Sequence, residues 1–473
     1  MLQAQKLTSQ AKAFVGLNTK AIDETVIATI INKKVEDVKN LKVTGKRTAP
    51  LLSLRTALGN KDSRNFILEC KKSSPTLGDF CKDFDLDKLL DCYKTRAAAI
   101  SVLCEEHFFK GSLDYLKYVK EHCNLPIICK DFIICKEQIT NAYNAGADAV
   151  LLMLSVLSTP LYEELFSYAK TLGLDVLTEV DDLEQAQYTI DKKIEIVGIN
   201  NRNLKTLKID LNVAKKLSEL FPATTKLVSE SGINTHKDLE FLGEINNFLI
   251  GSSLTKEQDI TFKANSMLYG LNKLCGITTE DALKAAICNH ATLAGLIFCE
   301  KSPRFIDVKK AKEFVIKANN QISFVGVFVD ENVEKVIQIA KEVKLSFVQL
   351  HGEENIDYIK ELKEKAPQLK IIKAINVKNP SDLDIVSTYK KICDLIILDS
   401  NTPGSGKSFD WGVIPNDFDK SRVLLSGGIG LDNVKDALQM GFEGLDLNSK
   451  LEITKGVKDV DTVNKVFSII NKF

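Results

Sequence analysis

The sequence predicts an α/β protein built from two fused (β/α)8 barrels, with a helical extension at the N-terminus. Short runs of apolar and β-branched residues alternate with longer amphipathic segments along nearly the whole chain of 473 residues. Near-continuous apolar strands separated by helices are typical of a parallel sheet that helices cover on its outside. Each half of the chain contains eight such strands, and eight βα units in about 200 residues make one barrel.

The predicted strands occur in two sets of eight. Those of the first half cover residues 66–70, 99–104, 126–130, 148–153, 174–179, 195–200, 225–229 and 247–251. Those of the second half cover residues 273–276, 295–299, 323–328, 345–350, 370–374, 394–398, 422–426 and 444–448. The alternative is an open doubly wound sheet, but neither first strand is followed by the G-x-G-x-x-G motif common in the nucleotide sites of such sheets.

Three domains follow from these strands. Residues 1–50 form an N-terminal extension, in which residues 24–39 are predicted to be a helix that covers the bottom of the first barrel or packs beside it. The first barrel covers residues 51–265 and the second covers residues 271–473. Residues 254–270 contain no proline, so we expect the last helix of the first barrel to continue almost directly into the second.

The composition excludes several classes of partner. The 63 Lys and Arg residues balance the 63 Asp and Glu residues, so no basic surface is strong enough for unselective binding of nucleic acid. A single Trp and 7% aromatic residues argue against a surface that stacks bases. No apolar run approaches the roughly 20 residues of a membrane-spanning helix. We expect small-molecule ligands, with neither nucleic acid nor a membrane as partner.

The cysteines and the N-terminus indicate the compartment. The 11 cysteines include no C-x-x-C pair, and most lie in apolar runs, as buried free thiols do in a reducing cytosol. The first 20 residues contain no Arg and no continuous apolar core, which excludes a secretory signal. We therefore predict a cytoplasmic protein.

The active site of such a barrel lies at the C-terminal ends of its strands. In the first half, the polar residues at these ends are Glu69, Lys71, Lys130, Glu179, Asn200, Arg202, Glu230 and Ser231. We expect burial at the mouth to lower the pKa of Lys130 and make it a general acid, with Glu179 as the base on a strand across the mouth. The alternative is a structural network of Glu and Lys side chains.

The strand ends of the second half carry a different set of polar residues. They are Cys275, Arg304, His351 and Asp399. Cys275 and Asp399 are the candidates for acid–base chemistry, because a thiolate near a cation can take a proton from carbon. Core packing is the alternative for any single cysteine of this chain. Cys275 differs from the others because it ends a strand just before a glycine turn.

Each half also contains two turns that suit a phosphate group, one after the seventh strand and one after the eighth. They consist of Gly232, Gly251 and Ser252 in the first half, and of Gly427, Gly428, Asn448 and Ser449 in the second. Backbone N–H groups can approach an anion where glycine removes the side chain. The phosphate of such barrels usually binds at this place. A single turn of this kind more often has no ligand-binding role, but its repetition in both halves favours two phosphate sites.

Two sets of motifs occur at these strand ends. The first half contains FILECKKSSP (66–75), CKDFI (129–133), LTEV (177–180), GINNR (198–202) and SESGI (229–233). The second half contains KLCGIT (273–278), SPR (302–304), VQLHG (348–352), GSGK (404–407), FDW (409–411) and LDLNS (445–449). The first half thereby resembles indole-3-glycerol-phosphate synthase, and the second resembles phosphoribosylanthranilate isomerase. Together they resemble the fused bifunctional enzyme of bacterial tryptophan biosynthesis over about residues 25–473.

The resemblance implies an isomerase that needs neither a metal nor an organic cofactor. Asp399 would protonate the ring oxygen of the ribose and open the ring. Cys275 would then remove the proton from C2 of the sugar in an Amadori rearrangement. Arg304 would hold the anthranilate carboxylate, which suits its planar guanidinium, and His351 would also contact substrate.

The resemblance likewise implies a synthase without a cofactor. Lys130 would be the general acid of ring closure, and Glu179 would be the proton-transfer partner in the decarboxylation and dehydration that follow. Residues 72–80 would form a lid over the substrate. Glu69 and Lys71 would position the carboxylate and amine of the substrate. The mouth would be lined by Asn200, Arg202, Glu230 and Ser231.

Two departures from the family pattern stand out. Lys450 follows Ser449 at a place where the isomerase usually has a small residue. It either adds charge at the phosphate site or points to solvent, and we favour solvent. Residues 1–24 match nothing in either family, so a targeting or contact role stays open.

Two other functions remain as alternatives. A barrel of the histidine pathway catalyses a similar rearrangement, but it is expected to have Asp where this chain has Cys275. A phosphate-binding sensor built on decayed barrels would lack the acids and bases that this sequence retains at its strand ends. The sequence also leaves open the oligomeric state and the transfer of the intermediate. We expect a monomer and an intermediate that diffuses freely.

Overall fold

The computed structural model describes residues 2–60, 63–75, 78–79, 84–257, 259–400 and 410–472. The chain divides into two compact units, Met1–Ile260 and Thr261–Phe473. Each unit contains one closed parallel barrel of eight strands, so the predicted pair of (β/α)8 barrels is confirmed. Within the described residues, every helix is too short or too polar to cross a lipid bilayer.

The described residues of the first unit form ten strands. They are β1 (Asn65–Cys70), β2 (Ser73–Ser74), β3 (Gly78–Asp79), β4 (Ala99–Leu103), β5 (Ile127–Lys130), β6 (Ala149–Met153), β7 (Asp175–Val180), β8 (Ile196–Asn200), β9 (Lys226–Glu230) and β10 (Asn247–Ile250). β2 and β3 form a small antiparallel hairpin. The other eight strands pair in parallel, and β1 closes the barrel by pairing with both β4 and β10. All eight strands predicted for this half are confirmed.

Ten strands also occur in the part of the second unit that the structure describes. They are β11 (Lys273–Leu274), β12 (Leu293–Ile297), β13 (Ser323–Phe328), β14 (Phe347–Leu350), β15 (Lys370–Val377), β16 (Leu395–Ser400), β17 (Val423–Leu425), β18 (Gly444–Leu447), β19 (Glu452–Thr454) and β20 (Val457–Lys458). β11 to β18 form the barrel in chain order, and β18 pairs with β11 to close it. β19 and β20 form an antiparallel hairpin after the last barrel strand. The eight predicted strands of this half are confirmed as well.

Helices connect the strands in both units. The first unit has α1 (Ser9–Ala13), α2 (Thr19–Ile22), α3 (Val26–Val38), α4 (Leu54–Ala57), α5 (Leu86–Tyr93), α6 (Leu113–His122), α7 (Lys136–Ala145), α8 (Thr159–Thr171), α9 (Leu183–Asp191), α10 (Asn212–Ser218), α11 (His236–Leu242) and α12 (Ser252–Thr255). The rest of the chain has α13 (Ile260–Tyr269), α14 (Glu280–Cys288), α15 (Val308–Ala318), α16 (Val333–Val343), α17 (Ile356–Lys365), α18 (Val386–Tyr389), α19 (Val434–Gln439) and α20 (Val460–Ile470). Short 3-10 helices cover Pro380–Leu383, Trp411–Val413 and Ser449–Leu451.

Polar caps and two-sided burial explain why these segments adopt their structures. Asp85 and Asn332 accept hydrogen bonds from the first turns of α5 and α16, and such caps end a βα loop at a definite residue. In the second barrel, alternate side chains such as Val325 and Phe347 fill the interior. Their neighbours on the same strands pack outward against the helices. Because both faces are buried, the strands consist of nearly continuous apolar runs.

The N-terminal extension contacts both ends of the first barrel: α3 lies at the mouth, whereas Arg47 donates a hydrogen bond to Asp148, just before the N-terminal end of β6. Its helix α3 is confirmed, but the expected position at the bottom or side of the barrel is wrong. Lys34 Nζ is 2.8 Å from Asp131 Oδ1, and Asp37 Oδ2 is 2.9 Å from His107 Nε2. Asp131 follows β5 and His107 follows β4, so both contacts are at the C-terminal ends of strands. Helix α3 therefore docks at the end of the barrel that carries these two loops.

Helix α13 packs on the second barrel. The rings of Phe262 and Phe347 have centroids 5.2 Å apart, and Asn265 Nδ2 donates a hydrogen bond of 3.1 Å to the carbonyl oxygen of Ala291. These partners lie at or just before the N-terminal ends of β14 and β12. The helix predicted within residues 254–270 therefore covers the bottom of the second barrel, on the side opposite to the strand ends that carry the candidate site.

Candidate active sites

The mouth of the first barrel brings Lys130, Glu179 and Glu230 together. Lys130 ends β5, and its Nζ donates a hydrogen bond to Glu230 Oε2 and lies 3.7 Å from Glu179 Oε2. The two carboxylates come from the C-terminal parts of β7 and β9, and both are buried. The predicted acid and base therefore face each other, and a second carboxylate contacts the lysine more closely.

The carboxylates around Lys130 hold its positive charge in place. Burial by itself would lower the pKa of the amine, but Glu230, Glu179 and Glu69 outweigh burial and raise the pKa above its ordinary value. The expected lowering is therefore wrong, because it considered burial without the three carboxylates that barrel closure brings close. Burial also raises the pKa of Glu179, and it raises the pKa of Glu230 to about 7 in spite of the attraction of Lys130.

Glu69 and Lys71 complete this charged cluster from β1. Lys71 Nζ forms an ion pair with Glu69 Oε1, and Glu69 is buried while Lys71 keeps part of its side chain in solvent. The hydroxyl of Tyr93 donates a hydrogen bond of 3.3 Å to the carbonyl oxygen of Glu69. The predicted pair is thus fixed at the mouth beside Lys130.

Asn200 and Arg202 occupy the loop after β8. Asn200 Nδ2 donates a hydrogen bond of 3.0 Å to Glu179 Oε1, and its Oδ1 accepts one of 3.0 Å from the backbone N–H of Arg202. Arg202 Nη1 donates to the carbonyl oxygen of Leu207 at 3.3 Å. Burial lowers the pKa of the Arg202 guanidinium. Asn200 therefore holds the carboxylate of Glu179 and the loop that carries Arg202.

Asn201 was not predicted as a site residue, yet it ties together two strand ends. It is buried, and its Nδ2 donates hydrogen bonds of 3.0 and 3.1 Å to the carbonyl oxygens of Glu230 and Ser231. Its Oδ1 accepts a hydrogen bond of 3.0 Å from the backbone N–H of Ala214. A second Asn directly after Asn200 is the only signal of this role in the sequence.

Two glycines leave space for two of the carboxylates. A Cβ atom at Gly198 would lie 2.1 Å from Glu230 Oε1, and a Cβ atom at Gly251 would lie 2.1 Å from Glu69 Oε1. Both distances are far below van der Waals contact, so neither position accommodates a side chain while the carboxylate stays in place. Gly251 was predicted to bind phosphate, and the nearby carboxylate of Glu69 is a second reason why a side chain does not fit at this position. Gly198 was not predicted.

The turns predicted to bind phosphate in the first barrel follow adjacent strands. Ser231 and Gly232 follow β9 and have φ angles of 65° and 89°, both in the left-handed region. Gly251 and Ser252 follow β10, where the short helix α12 begins. Since β9 and β10 are paired, the structure brings these four residues to one side of the mouth.

A cavity of about 390 Å³ opens at the C-terminal ends of the strands of the second barrel. Its lining includes every site residue predicted for this half, namely Cys275, Arg304, His351, Asp399, Gly427, Gly428, Asn448 and Ser449. Gly427 and Gly428 have φ angles of 92° and 61°. Consecutive left-handed residues form a concave turn whose backbone N–H groups suit an anion.

Cys275 lies beside a buried ion pair. Lys273 precedes it by two residues, so both side chains point into the barrel, and Lys273 Nζ is 2.8 Å from Asp446 Oδ1. Burial raises the pKa of the Cys275 thiol, while Lys273 and the nearby Lys458 oppose that rise. Lys273 was not predicted as a site residue. Its signal is a lysine at an inward-facing position of a strand, where a charge needs a partner.

Arg304 is oriented by a carboxylate of this chain. Its Nε and Nη2 donate hydrogen bonds of 2.7 and 2.8 Å to the two carboxylate oxygens of Glu452. Lys458 Nζ donates to Glu452 Oε1 at 2.9 Å and to Asn448 Oδ1 at 2.8 Å. A buried network thus links Arg304 to Asn448. Glu452 and Lys458 were missed because they lie in the hairpin β19–β20, outside the barrel strands.

Asp399 and His351 face each other across the same cavity. Asp399 Oδ1 accepts a hydrogen bond of 2.7 Å from the backbone N–H of Ser400, and its Oδ2 is 3.5 Å from His351 Nε2. Lys450 does not line this cavity. It is half-exposed and pairs with Asp432 at 2.9 Å, which agrees with the expectation that it points to solvent.

Parts of two predicted features lie outside the described residues. These are positions 404–407 and 409 of the isomerase motifs, and positions 76, 77 and 80 of the lid. The described part of the lid includes the hairpin β2–β3. In this hairpin, Asp79 forms an ion pair with Lys110 of the loop after β4.

Two protein-family models match the chain, one for each barrel. Residues 21–267 match indole-3-glycerol phosphate synthase. Residues 272–469 match N-(5'-phosphoribosyl)anthranilate (PRA) isomerase. The synthase model thus covers the barrel that contains Lys130 and Glu179, and the isomerase model covers the barrel that contains Cys275 and Asp399.

Relatives that contain both halves also match along their length. The chain is 40% identical to the tryptophan biosynthesis protein TrpCF of Helicobacter pylori, over 95% of this chain and 100% of the relative. It is 37% identical to TrpCF of Haemophilus influenzae, over 96% and 98% of the two chains, and 36% identical to TrpCF of Vibrio cholerae, over 99% and 100%. The chain therefore belongs to the family of bifunctional TrpCF enzymes, in which the C-terminal barrel isomerises N-(5-phosphoribosyl)anthranilate and the N-terminal barrel then forms indole-3-glycerol phosphate, two consecutive steps of tryptophan biosynthesis.

Proposed function

We propose that Asp399 is the acid and Cys275 the base of the isomerisation. Asp399 gives its proton to the ring oxygen of the ribose, the C1–O bond breaks, and the nitrogen lone pair forms an iminium at C1. The Cys275 thiolate then removes the proton from C2 and leaves an enamine, which tautomerises to the 2-ketone. The observation that carries this assignment is that both groups line one cavity together with the turn Gly427–Gly428.

The electrostatic surroundings of Cys275 suit a base that forms a thiolate on demand. Burial disfavours the charged thiolate, and Lys273 and Lys458 favour it. In our proposal, these two ammonium groups make ionisation accessible in a site that otherwise excludes water. Thiolates are strong acceptors of protons from carbon once they form.

The remaining residues of the second cavity are proposed to bind the two anionic ends of the substrate. Arg304 would hold the anthranilate carboxylate, because its guanidinium offers donors in a planar fork and Glu452 fixes the plane of that fork. Gly427, Gly428, Asn448 and Ser449 would hold the phosphate through the concave turn and the loop beside it. His351 would contact the sugar between these two ends.

We propose that Lys130 is the general acid of the synthase. Its raised pKa keeps the amine protonated, so a proton is present when the ketone oxygen of the substrate needs one during ring closure. Glu179, on the other side of Lys130, is the proton-transfer partner for the decarboxylation and dehydration. The contacts of Lys130 with Glu230 and Glu179 support both assignments.

Substrate placement in the synthase falls to the other residues of the mouth. Glu69 and Lys71 would position the carboxylate and the amine of the substrate. The sugar chain would contact Asn200, Arg202, Glu230 and Ser231. The phosphate would bind at Gly232, Gly251 and Ser252, where the turn after β9 meets the start of α12.

Asp399→Asn and Glu179→Gln test these roles, because both variants keep the shape of the side chain and remove its acid–base function. We expect kcat of the isomerase to fall by roughly 100- to 10,000-fold in the first variant and kcat of the synthase to fall similarly in the second. Each variant serves as the control for the other reaction. Isomerase turnover at the normal rate in Asp399→Asn would remove Asp399 from the mechanism.

We also propose that the protein is a cytoplasmic monomer that binds small molecules and neither nucleic acid nor membranes. The balanced charge of the sequence supports the choice of partner. All ten cysteines in the described part of the chain are free thiols, as expected in a reducing compartment. The candidate residues of the synthase all lie in the first unit, and those of the isomerase all lie in the second. Neither site therefore needs a residue from a second copy of the chain. Sedimentation equilibrium at micromolar concentration would reveal a dimer if this proposal fails.

A further inference from the structure

Gln349 is a buried amide that lines the second cavity, and its role was not predicted from the sequence. It lies on β14, two residues before His351, and its side chain reaches the histidine ring: Gln349 Nε2 is 2.9 Å from His351 Nδ1. Only 1% of Gln349 is exposed, and its Oε1 has no hydrogen-bond partner within the described residues. Leaving a buried acceptor unpaired costs free energy, so the orientation of this amide needs an explanation.

The orientation of the Gln349 amide in the structure indicates which nitrogen of His351 carries the proton. An amide NH2 group only donates, so Nδ1 of the ring must accept, and the single proton of the neutral imidazole is then on Nε2. His351 Nε2 lies 3.5 Å from Asp399 Oδ2, while the backbone N–H of Ser400 holds Asp399 Oδ1. In this tautomer the N–H group of Nε2 lies 3.5 Å from Oδ2, where it forms no hydrogen bond within the described residues. In the opposite tautomer, Oδ2 would face a lone pair.

We propose that Gln349 is a positioning residue of the isomerase, which holds His351 in the Nε2–H tautomer and so directs an N–H group at the carboxylate of Asp399. The inference rests on the proposed role of Asp399 as the acid. When Asp399 transfers its proton to the ring oxygen of the substrate, negative charge develops on its carboxylate. A donor 3.5 Å away can close on that oxygen and stabilise the charge as it develops.

The tautomer of His351 can be measured directly on the full chain. We would label the histidines with ¹⁵N and record two-bond ¹H–¹⁵N spectra, in which protonated and unprotonated ring nitrogens have clearly separate shifts. The signals of His351 are assigned by their loss in His351→Asn. We expect a protonated Nε2 and an unprotonated Nδ1 in the wild type. A protonated Nδ1 with an unprotonated Nε2 would overturn the proposal.

Gln349→Met and Gln349→Glu test the link to catalysis. Methionine fills a similar volume and donates no hydrogen bond, so we expect a mixture of tautomers and a roughly tenfold or greater loss of isomerase kcat with little change of KM. Glutamate only accepts, so it should move a proton onto Nδ1 and lower kcat further. Gln439→Glu makes the same charge change on the exposed face of α19 and should leave kcat unchanged.

The outcomes separate this inference from the proposed function. If Gln349→Met folds and keeps both the Nε2–H tautomer and the wild-type kcat, Gln349 has no positioning role. If Asp399→Asn keeps its isomerase activity, the proposed acid is wrong, whatever the spectra show. Synthase activity reports only on the first unit, so the thermal unfolding of the second unit is measured in the same samples. A loss of isomerase kcat with that transition unchanged cannot come from unfolding.

Discussion

At the scale of single residues, two glycines decide where reacting side chains can sit. A Cβ atom at Gly198 of β8 would lie 2.1 Å from Glu230 Oε1, and a Cβ atom at Gly295 of β12 would lie 2.7 Å from Cys275 Sγ. Both glycines lie on barrel strands, one in each unit, and both are one strand away from the proposed chemistry. They form a matched pair, because the same substitution should affect a different reaction in each barrel.

Gly198→Ala is therefore expected to lower only the synthase activity, and Gly295→Ala only the isomerase activity. Gly198→Ala should displace Glu230 and lower synthase kcat by roughly 100-fold, since a misplacement of about 1 Å at a reacting group costs that much. Gly295→Ala should displace Cys275 and lower only the isomerase kcat to a similar extent. Steady-state assays of both reactions on both variants check this. Equal losses of both activities in either variant would show that the effect is on folding.

The raised pKa of Cys275 predicts how the isomerase depends on pH. The thiolate is scarce at neutral pH and becomes more abundant as the pH rises, so we expect isomerase kcat/KM to increase between about pH 6 and about pH 9. Lys273→Met removes a cation that opposes the effect of burial, so the increase should move to higher pH. Lys284→Met, on the exposed side of α14, is the control. A pH profile that is the same in Lys273→Met and the wild type would contradict this role for Lys273.

The chemical identity of the site residues was predictable from sequence, but much of their environment was not. Lys130 and Cys275 could be named because each ends an apolar run that must be a strand. The direction of the pKa shift of Lys130 and the partner of Lys273 depend on residues at least 49 positions away, Glu69, Glu179, Glu230 and Asp446. These contacts exist only after the barrel closes, and no local pattern contains them.

At the scale of elements, the strands were predictable and the docking of the first helices was not. Each barrel strand is buried on both faces, so its apolar run is visible in the sequence without knowledge of its neighbours. Helix α3 is amphipathic, and its apolar face predicts burial without saying which end of the barrel it covers. Its contacts at the mouth include two charged pairs, Lys34 with Asp131 and Asp37 with His107.

Lys34→Met tests whether this placement supports the synthase. Lys34 and Asp131 are nearly buried, with 8% and 14% of their side chains exposed. Removing the lysine leaves a buried carboxylate next to Lys130, which should cost about 3 kcal/mol in the free energy of unfolding of the first unit and reduce synthase kcat. Thermal unfolding together with synthase assays would measure both effects.

Lys33→Met is the matched control for this prediction. Lys33 is the preceding residue of α3, its side chain is 40% exposed, and it pairs with Glu36 and Asp37 on the helix surface. Exposed pairs of this kind contribute about 0–1 kcal/mol, so we expect little change in stability or activity. Equal effects of Lys33→Met and Lys34→Met would mean that the buried pair with Asp131 does not anchor the helix.

At the scale of the whole molecule, the chain carries two proposed sets of reacting groups, one in each of its two units. Lys130 and its carboxylates belong to Met1–Ile260, and Cys275 and Asp399 belong to Thr261–Phe473. The order of strands and motifs allowed both halves to be identified from sequence, because each barrel places its polar residues at the same ends of its eight strands. The central claim is that each unit performs its own step with its own residues.

Turnover of N-(5-phosphoribosyl)anthranilate by Lys130→Ala, by Cys275→Ala and by an equal mixture of the two tests this claim most directly. Lys130→Ala should accumulate 1-(2-carboxyphenylamino)-1-deoxyribulose 5-phosphate without forming indole-3-glycerol phosphate. Cys275→Ala should leave the first substrate unchanged but convert added intermediate, and the mixture should restore the complete conversion. Loss of both activities in either variant, with the protein still folded, would contradict the assignment of one independent site to each barrel.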